Sequence, residues 1–421
     1  FMGALAGKAA GVQINSSASG PGGGVKVVMR GAKSITQNNN ALYVIDGIPM
    51  YNRASSGGDG AMATQPSSES IADINPDDIE SMSLLTGPSA AALYGYEGAN
   101  GVVLITTKKG RADKTTVTYS NNTTFSDPMM MPKFQNTYGN MTGEMMSWGL
   151  ETDKRYDPAN FFNTGSNVSN ALSLSTGNDK SQSYISVATT NATGIMPNND
   201  YDRYNFSFRN TTNFLNNKFI LDTSANYIIQ NDKNMVSQGQ YFNPLTSLYL
   251  FPRGEDFSDV AVYERYDDLS GVNTQYWPYG DLGGVSSQNP YWIMNRMNRE
   301  NDRRRYTLAA SLQYNIIEGL NVQGRVSIDN TESKYTEKFH AGTVGNFAGP
   351  KGRYKEENRL DRQVYADVLA NFNKTFNEFN VTANLGASIK DLRMELTSLH
   401  GDLNNVTNHF TIENLTRSGY Y

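Results

Sequence analysis

The chain is 421 residues long, with 38 glycines, 25 tyrosines, 18 phenylalanines, no cysteine and a formal net charge of −5. The lack of cysteine excludes a disulfide framework, a thiolate nucleophile and a Cys-ligated metal, and the acidic balance argues against a dedicated nucleic-acid binder. Only 38% of residues are hydrophobic, and no run approaches the roughly 18–20 apolar residues of a spanning helix; a glycine-rich, aromatic-rich polar chain suits instead a large β-barrel with a wet lumen.

From the N-terminus, FMGALAGKAAGVQI (Phe1 to Ile14) reads as amphipathic. Gly3 to Lys8 imitates a phosphate loop, but its spacing is wrong and no Ser or Thr follows. Gly20 to Gly24 precede a strand at Val25 to Arg30 and read as a turn, since a dinucleotide site needs its glycines to open a helix. LYVIDGIP, Leu42 to Pro49, is an apolar strand stopped by an Asp-Gly turn and a proline. The stretch SIADINPDDIESMSLLTGPSAAALYGYEGANGVVLITTKKG, Ser70 to Gly110, then orders several signals. Asn75 is an N-cap, Pro76 suits the first helical position, and Asp77 and Asp78 sit where a helix N-terminus favours negative charge. Leu84 and Leu85 end a strand, Pro88 to Leu93 read as a second short helix closed by Gly95, and GVVLITTKKG is a β-branched strand running into a basic turn.

These two motifs, in this order and spacing, resemble the plug domain of TonB-dependent outer-membrane transporters of the SusC/RagA family. At Leu85, Thr86, Gly87, Pro88 and Ser89 the chain departs from that family's usual VLKDA and is nearer to the GPSAALYG form of TonB-dependent receptors at large. The resemblance implies an all-β membrane fold, a large antiparallel transmembrane β-barrel of about 22 strands around an N-terminal α/β plug. Residues 1–110 are then the plug and 111–421 the N-terminal part of the barrel, so the chain is expected to be incomplete. The resemblance also implies an outer-membrane location in a Gram-negative, Bacteroidetes-like bacterium. TonB would act through a segment before Phe1, and a SusD-like surface lipoprotein would cover the barrel. The cargo would be an oligosaccharide or an oligopeptide, with no cofactor, no catalysis and a mechanism of gating. Arg30, Asp46 and Glu80, beside strand ends in the plug, are expected either to pair with lumen charges or to be solvated at the surface, and Gly47, Gly98, Asn100 and Gly101 complete the candidate gating motif.

Beyond Gly110 the pattern changes to period-two alternation. Tyr306, Leu308, Ala310, Leu312, Tyr314 and Ile316 alternate with Thr307, Ala309, Ser311, Gln313 and Asn315, and the pattern resumes after Glu318-Gly319 with Leu320 to Asp329. A second pair runs from Val364 to Phe372 and from Phe379 to Ile389. Each is about the 9–11 residues of a tilted spanning strand. The facing predicted is Leu308, Leu312, Val322, Val326, Val368, Val381 and Leu385 to lipid, with Gln313, Gln323, Arg325, Asp367 and Asn384 to the lumen. Weaker strands are expected at Thr115 to Phe125, Asn170 to Thr176, Gln182 to Asn191, Arg203 to Phe214 and Lys218 to Gln230, about ten in all. Long connections are expected at Asn231 to Arg305 and Asn330 to Asp361.

Candidate substrate contacts lie in the first of these connections: Tyr276, Trp277, Tyr279, Tyr291 and Trp292, whose flat rings beside amides and carboxylates suit sugars and also peptide backbones. The competing reading is that they belong to an aromatic girdle or pack the loop. His340, His400 and His409 have no metal-ligand spacing and no nucleophile partner. Arg296, Arg299, Arg303, Arg304 and Arg305 are expected to meet solvent or the phosphates of lipopolysaccharide. Two other functions fit the same barrel, a non-energised receptor or porin and a structural subunit of a larger outer-membrane assembly.

Overall fold

The computed structural model describes residues 11–16, 19–31, 39–51, 54–55, 68–86, 90, 94–112, 114–142, 144, 146–154, 156–237, 239–279, 281–282, 285–376 and 379–416. The amphipathic segment before Gly11 and most of the helix expected at 88–93 lie outside them.

In the plug, alternating apolar residues build a hairpin and a small mixed sheet. The hairpin is β1 (Val12–Ser16) with β2 (Val25–Met29). The sheet comprises β3 (Leu42–Ile45), β4 (Ile48–Met50), β5 (Ile79–Leu85) and β6 (Val102–Thr107), in the order β4-β3-β6-β5 with β3 and β6 parallel. Asp46 and Gly47, joining β3 to β4, both have positive φ, 49° and 81°, the conformation a two-residue hairpin turn requires and Asp-Gly adopts readily. Val27, Met29, Tyr43, Ile71, Val103 and Ile105 form the core beneath. The Asn75 side chain accepts from the Asp77 N–H at 3.3 Å and starts a turn at Pro76–Asp78. That turn is a single 3-10 one because the chain must be extended again at Ile79, where β5 pairs with β6.

The rest of the chain builds a nine-stranded antiparallel wall of β7 (Thr116–Ser126), β8 (Gly165–Gly177), β9 (Ser181–Thr193), β10 (Asp200–Phe214), β11 (Phe219–Lys233), β12 (Met297–Ile317), β13 (Leu320–Phe339), β14 (Arg353–Phe376) and β15 (Phe379–Asp402). Neighbours in sequence are neighbours in space, as short connections favour. Tight turns, such as Leu215 to Asn217 and Glu318-Gly319, close one end, and the long connections gather at the other.

The pleat sorts the wall into two faces. On β12, Arg303 and Arg305 are buried against the plug, while Leu308 and Leu312 face away from it. The register extends this parity, placing Val322, Val326, Val368, Val381 and Leu385 outside and Gln313, Gln323, Arg325, Asp367 and Asn384 inside, the facing expected. On the outer face, Phe214, Phe219 and Tyr314 stack in a row at the short-turn end, with centroids 5.5 and 4.6 Å apart. Tyr227 and Tyr306 form a second row higher up. Two aromatic rows bounding an apolar band are the mark of a membrane-embedded β-wall.

Two expectations need correction. Strands β12 to β15 are 20 to 24 residues long, about twice what a bilayer requires. The connection expected at Asn330 to Asp361 shrinks to residues 340–352, because β13 runs on to Phe339 and β14 begins at Arg353. Above the band both faces of these strands are polar, so the hydrophobic alternation ends while the backbone ladder continues.

The long-loop end has its own core. Tyr156, Phe161, Phe242, Leu248, Phe251, Trp292, Met294, Phe339 and Phe347 pack together. Two short helices enter it, α1 (Pro244–Tyr249) and α2 (Pro290–Arg296), each with Pro at its start and an Asn cap, Asn243 and Asn289. This pairing of cap and proline is the expected chemistry of a helix N-terminus.

Candidate functional site

The plug meets the wall through charged and hydrogen-bonding groups. Asp73, at the end of the 3-10 turn Ser70–Asp73, is 0% exposed and receives two wall arginines, Arg305 at 2.9 Å and Arg303. Arg305 also holds Asp329 at 2.6 Å, and Arg303 donates to Gln230 Oε1 at 2.7 Å. The Asp73 and Ala72 carbonyls accept from Asn205, at 2.7 Å, and from Arg203. Two cations and two carboxylates thus neutralise each other out of water, the condition under which buried charge is tolerated.

Nearby contacts repeat the arrangement. Asp78 accepts from the Tyr184 and Ser207 hydroxyls, both at 2.9 Å. Arg209, on β10, bridges Asp46 of the plug at 2.9 Å to Asp222 of the wall at 2.8 Å. Asp46 is itself aimed by Thr107, whose N–H and hydroxyl donate to it at 3.0 and 2.7 Å. Arg325 pairs with Asp367 at 2.6 Å directly against Gly47, where any added Cβ would strike the guanidinium. Lys390 pairs with Glu97, and Gln363 donates to the Pro49 carbonyl at 2.8 Å. A cavity of ≈ 110 Å³ lies among these groups, lined by Asp46, Asn75, Asp78, Tyr184, Arg209 and Asp329 with others. Such an interface can exchange its protein partners for water, so plug and wall can separate without exposing a large apolar surface.

Among the gating residues read from sequence, Asp46 and Gly47 lie in this interface. Arg30 and Glu80 are exposed and make no ion pair with any described residue. Gly98, Asn100 and Gly101 lie within the plug, at the end of the 3-10 turn Gly95–Asn100. Gly98 is buried against the Ala90 carbonyl, and Gly101, at φ 97°, backs onto Met29. Their freedom from a side chain serves the plug's internal packing.

The five candidate loop aromatics lie together but differ in access. Trp292 is 0% exposed, with its indole N–H donating to Thr343 Oγ1 at 3.0 Å, so no ring face is open for stacking in this state. Tyr291 packs on Phe161 with centroids 5.0 Å apart. Trp277, Tyr279 and Tyr276 are half-buried: Trp277 donates to Ser287 Oγ at 2.8 Å, Tyr279 stands edge-on to it, and Arg265 lies 3.3 Å over the Tyr276 ring. The arginine run departs from expectation. Arg299, Arg303 and Arg305 are buried on the inner face, Arg296 binds Glu264 at 2.6 Å, and only Arg304 points outward unpaired. In the loop core Arg253 stacks on Phe134 and Tyr156, 4.1 and 4.4 Å from their centroids, and its pKa is lowered by burial.

The family model for the TonB-dependent receptor plug domain matches residues 1–102. The TonB-dependent receptor P3 of Formosa agariphila is 27% identical over 427 residues, covering 98% of this chain and 38% of that protein. The TonB-dependent receptor SusC of Bacteroides thetaiotaomicron is 28% identical over 306 residues, 68% of this chain and 29% of its own length. Among solved structures, the RagAB peptide transporter superposes with a TM-score of 0.72 at 19% identity, covering 95% of this chain and 46% of that one. The chain thus carries a TonB-dependent receptor plug domain over residues 1–102 and is similar along most of its length to TonB-dependent receptors of the SusC/RagA type. The chain spans less than half the length of these relatives. The unliganded ferric citrate transporter FecA shares the fold, with a TM-score of 0.53 at 9% identity. The outer membrane is therefore the medium around the apolar band.

Of the principal interface residues, Asp73, Tyr184 and Arg209 were not singled out in the sequence, Asp78 was read only as the start of a helix, and Arg303 and Arg305 were expected at solvent or lipopolysaccharide and are instead buried against the plug. One signal was present. Arg299, Arg303 and Arg305 share odd parity with Gln313, so extending the period-two pattern upstream of Tyr306 aims them inward.

Proposed function

We propose that this receptor imports a bulky nutrient, an oligosaccharide or an oligopeptide, across the outer membrane with energy delivered by TonB. On this reading residues 1–110 are the plug and 111–421 the N-terminal part of the barrel. The observation that carries it is the Asp73 clasp: the plug is held by neutralised, exchangeable polar bonds to Arg303 and Arg305, an attachment suited to release and re-formation. A covalent or dry apolar attachment would suit a permanent stopper instead. A SusD-like surface lipoprotein closes the extracellular mouth in this scheme, as the SusC and RagAB likenesses suggest. Half-buried Tyr276, Trp277 and Tyr279 are the loop aromatics best placed to meet cargo, with Tyr291 and Trp292 behind them as support. Mechanism here is a change in plug stability between two states.

The test is uptake of labelled oligosaccharide and oligopeptide pools by cells carrying the complete receptor, with and without TonB. Import is expected to stop without TonB while surface binding persists. Continued import without TonB would mark a passive porin, and no import under either condition, with an intact envelope complex, would mark a structural subunit.

A further inference from the structure

The wall divides into two arcs of different chemistry. Strands β7, β8 and β9 contain no Asp, Glu, Lys or Arg on either face. Their register sets Ser120 and Asn122 of β7, Asn167 and Ser169 of β8, and Ala188 and Thr190 of β9 in adjoining rows of the inner face. The inner face of β10 to β14 is charged instead, and there the plug is tied, with Asp46 held by Arg209 and Asp73 by Arg303 and Arg305. Two more ion pairs, Lys109 to Asp222 at 3.1 Å and Glu97 to Lys390, fall on β11 and β15. The uncharged arc can supply no such tie.

The spacing between plug and wall follows the same division. Against the charged arc the plug leaves a cavity of ≈ 110 Å³. Against β7 to β9 it leaves one of ≈ 600 Å³, which reaches Arg203 on β10. On the plug side this larger cavity is bounded by Pro21, Gly22 and residues between Ile71 and Asp77, and on the wall side by Asn122, Ser169 and Thr190 among others. Short side chains on the wall make the room. Two buried donors in its lining have no hydrogen-bond partner among the described residues: Nδ2 of Asn75, a residue 5% exposed, and Nε of Arg203. Buried donors in a polar cavity call for an occupant that can accept from them.

We propose that the plug parts from the wall first on this uncharged arc, and that solute passes there, between β7 to β9 and the plug's Pro21-Gly22 and 74–77 segments. This rests on the import reading above. Hydroxyls and amides, the groups of a sugar chain or a peptide backbone, exchange hydrogen bonds with Ser, Thr and Asn at small net cost. No ion pair has to break along this arc. Passage along β10 to β14 would instead strip Asp73 from two buried guanidiniums, the most expensive step the interface offers. The Asp73 clasp is therefore the last attachment to yield, and the gap beside Ser169 and Thr190 is the route already begun.

Single cysteines in the full-length receptor test this, in a chain that has none of its own. N167C and S169C should react with a hydrophilic maleimide about tenfold or more faster than S327C, since Ser327 is 4% exposed and faces the plug from the charged arc. Equal rates would overturn the proposal. Modifying S169C after folding leaves assembly undisturbed and fills the gap. It should cut TonB-dependent import of the labelled oligosaccharide and oligopeptide pools by about tenfold or more, with surface binding retained. Val168→Trp, on the opposite face of the same strand, should import as wild type. Undiminished import by the modified receptor would also overturn the proposal. Import absent from the wild type would remove the import reading and the passage with it, yet the labelling contrast would still record the gap, so the two failures are distinguishable.

Discussion

Where the plug meets the wall the contacts are polar and balanced, with Asp73 between Arg303 and Arg305 and Arg209 between Asp46 and Asp222. The core at the long-loop end is closed instead by rings, with Trp292, Phe251, Tyr156 and Phe257 at its centre. Both attach to the same strands, and β12 serves both, carrying Met297 into the loop core and Arg303 into the plug interface. The difference concerns reversibility. Water can replace hydrogen bonds at modest net cost, about 0.5–1.5 kcal/mol for each, but cannot replace dispersion contacts in a dry aromatic core. The plug is thus attached in a way that permits release, and the loops in a way that preserves shape.

The sharpest way to break this contrast is at Trp292. Trp292→Ala should destabilise the loop core by about 3–5 kcal/mol, read as rapid proteolysis of the 234–296 connection on intact cells while the transmembrane wall stays protected. Asp73→Asn comes next: leaving two buried guanidiniums short of a carboxylate should weaken plug docking by about 3 kcal/mol. Hydrogen exchange would report it as loss of protection in β5 and β6 with the loop core unchanged. If both regions loosened together, they would be one cooperative unit and the contrast would fail. Leu312→Arg, on the lipid face, should cost about 2 kcal/mol of wall stability, measured by urea unfolding in vesicles, and should leave both attachments alone.

The smallest effect concerns pH and only the loop side. His340, bonded through Nδ1 to the Arg296 carbonyl at 2.8 Å and edge-on to Phe410, is held below its ordinary value of 6.5 by burial. The folded loop therefore prefers the neutral ring, and the unfolded chain binds more protons as pH falls. Stability from this group is complete above about pH 6.5 and declines below it. Melting of the loop core at pH 7.5 and 5.5 should differ in that direction, and His340→Gln should flatten the slope.

Much of the wall was legible because one face must meet lipid and the other water, which writes a period of two into residues such as Leu308 to Ile316. The plug's turns were legible because Asp46-Gly47 and Asn75-Pro76 carry their own backbone chemistry. The upper strands were not, since a ladder standing in water on its outer side needs no hydrophobic alternation, and so 330–361 resembled a loop. Nor was the Asp73 clasp, whose partners are separated by 230 and 232 positions. Trp277 and Trp292 looked equivalent in sequence, but Trp292 lies on α2, which enters the loop core, and is wholly buried there while Trp277 is half-buried.

The extra length of β12 to β15 has a consequence beyond topology. About nine residues of each strand stand above the upper aromatic row, which at about 3.3 Å per residue and a tilt of about 40° lifts the rim roughly 20 Å above the bilayer. Once the wall is closed into a barrel, that rim is a chimney. Its inner side chains would then line a tall vestibule over the plug, and its outer side chains would stand in the surface sugar layer and not in lipid, which is why polar residues are tolerated on both faces there.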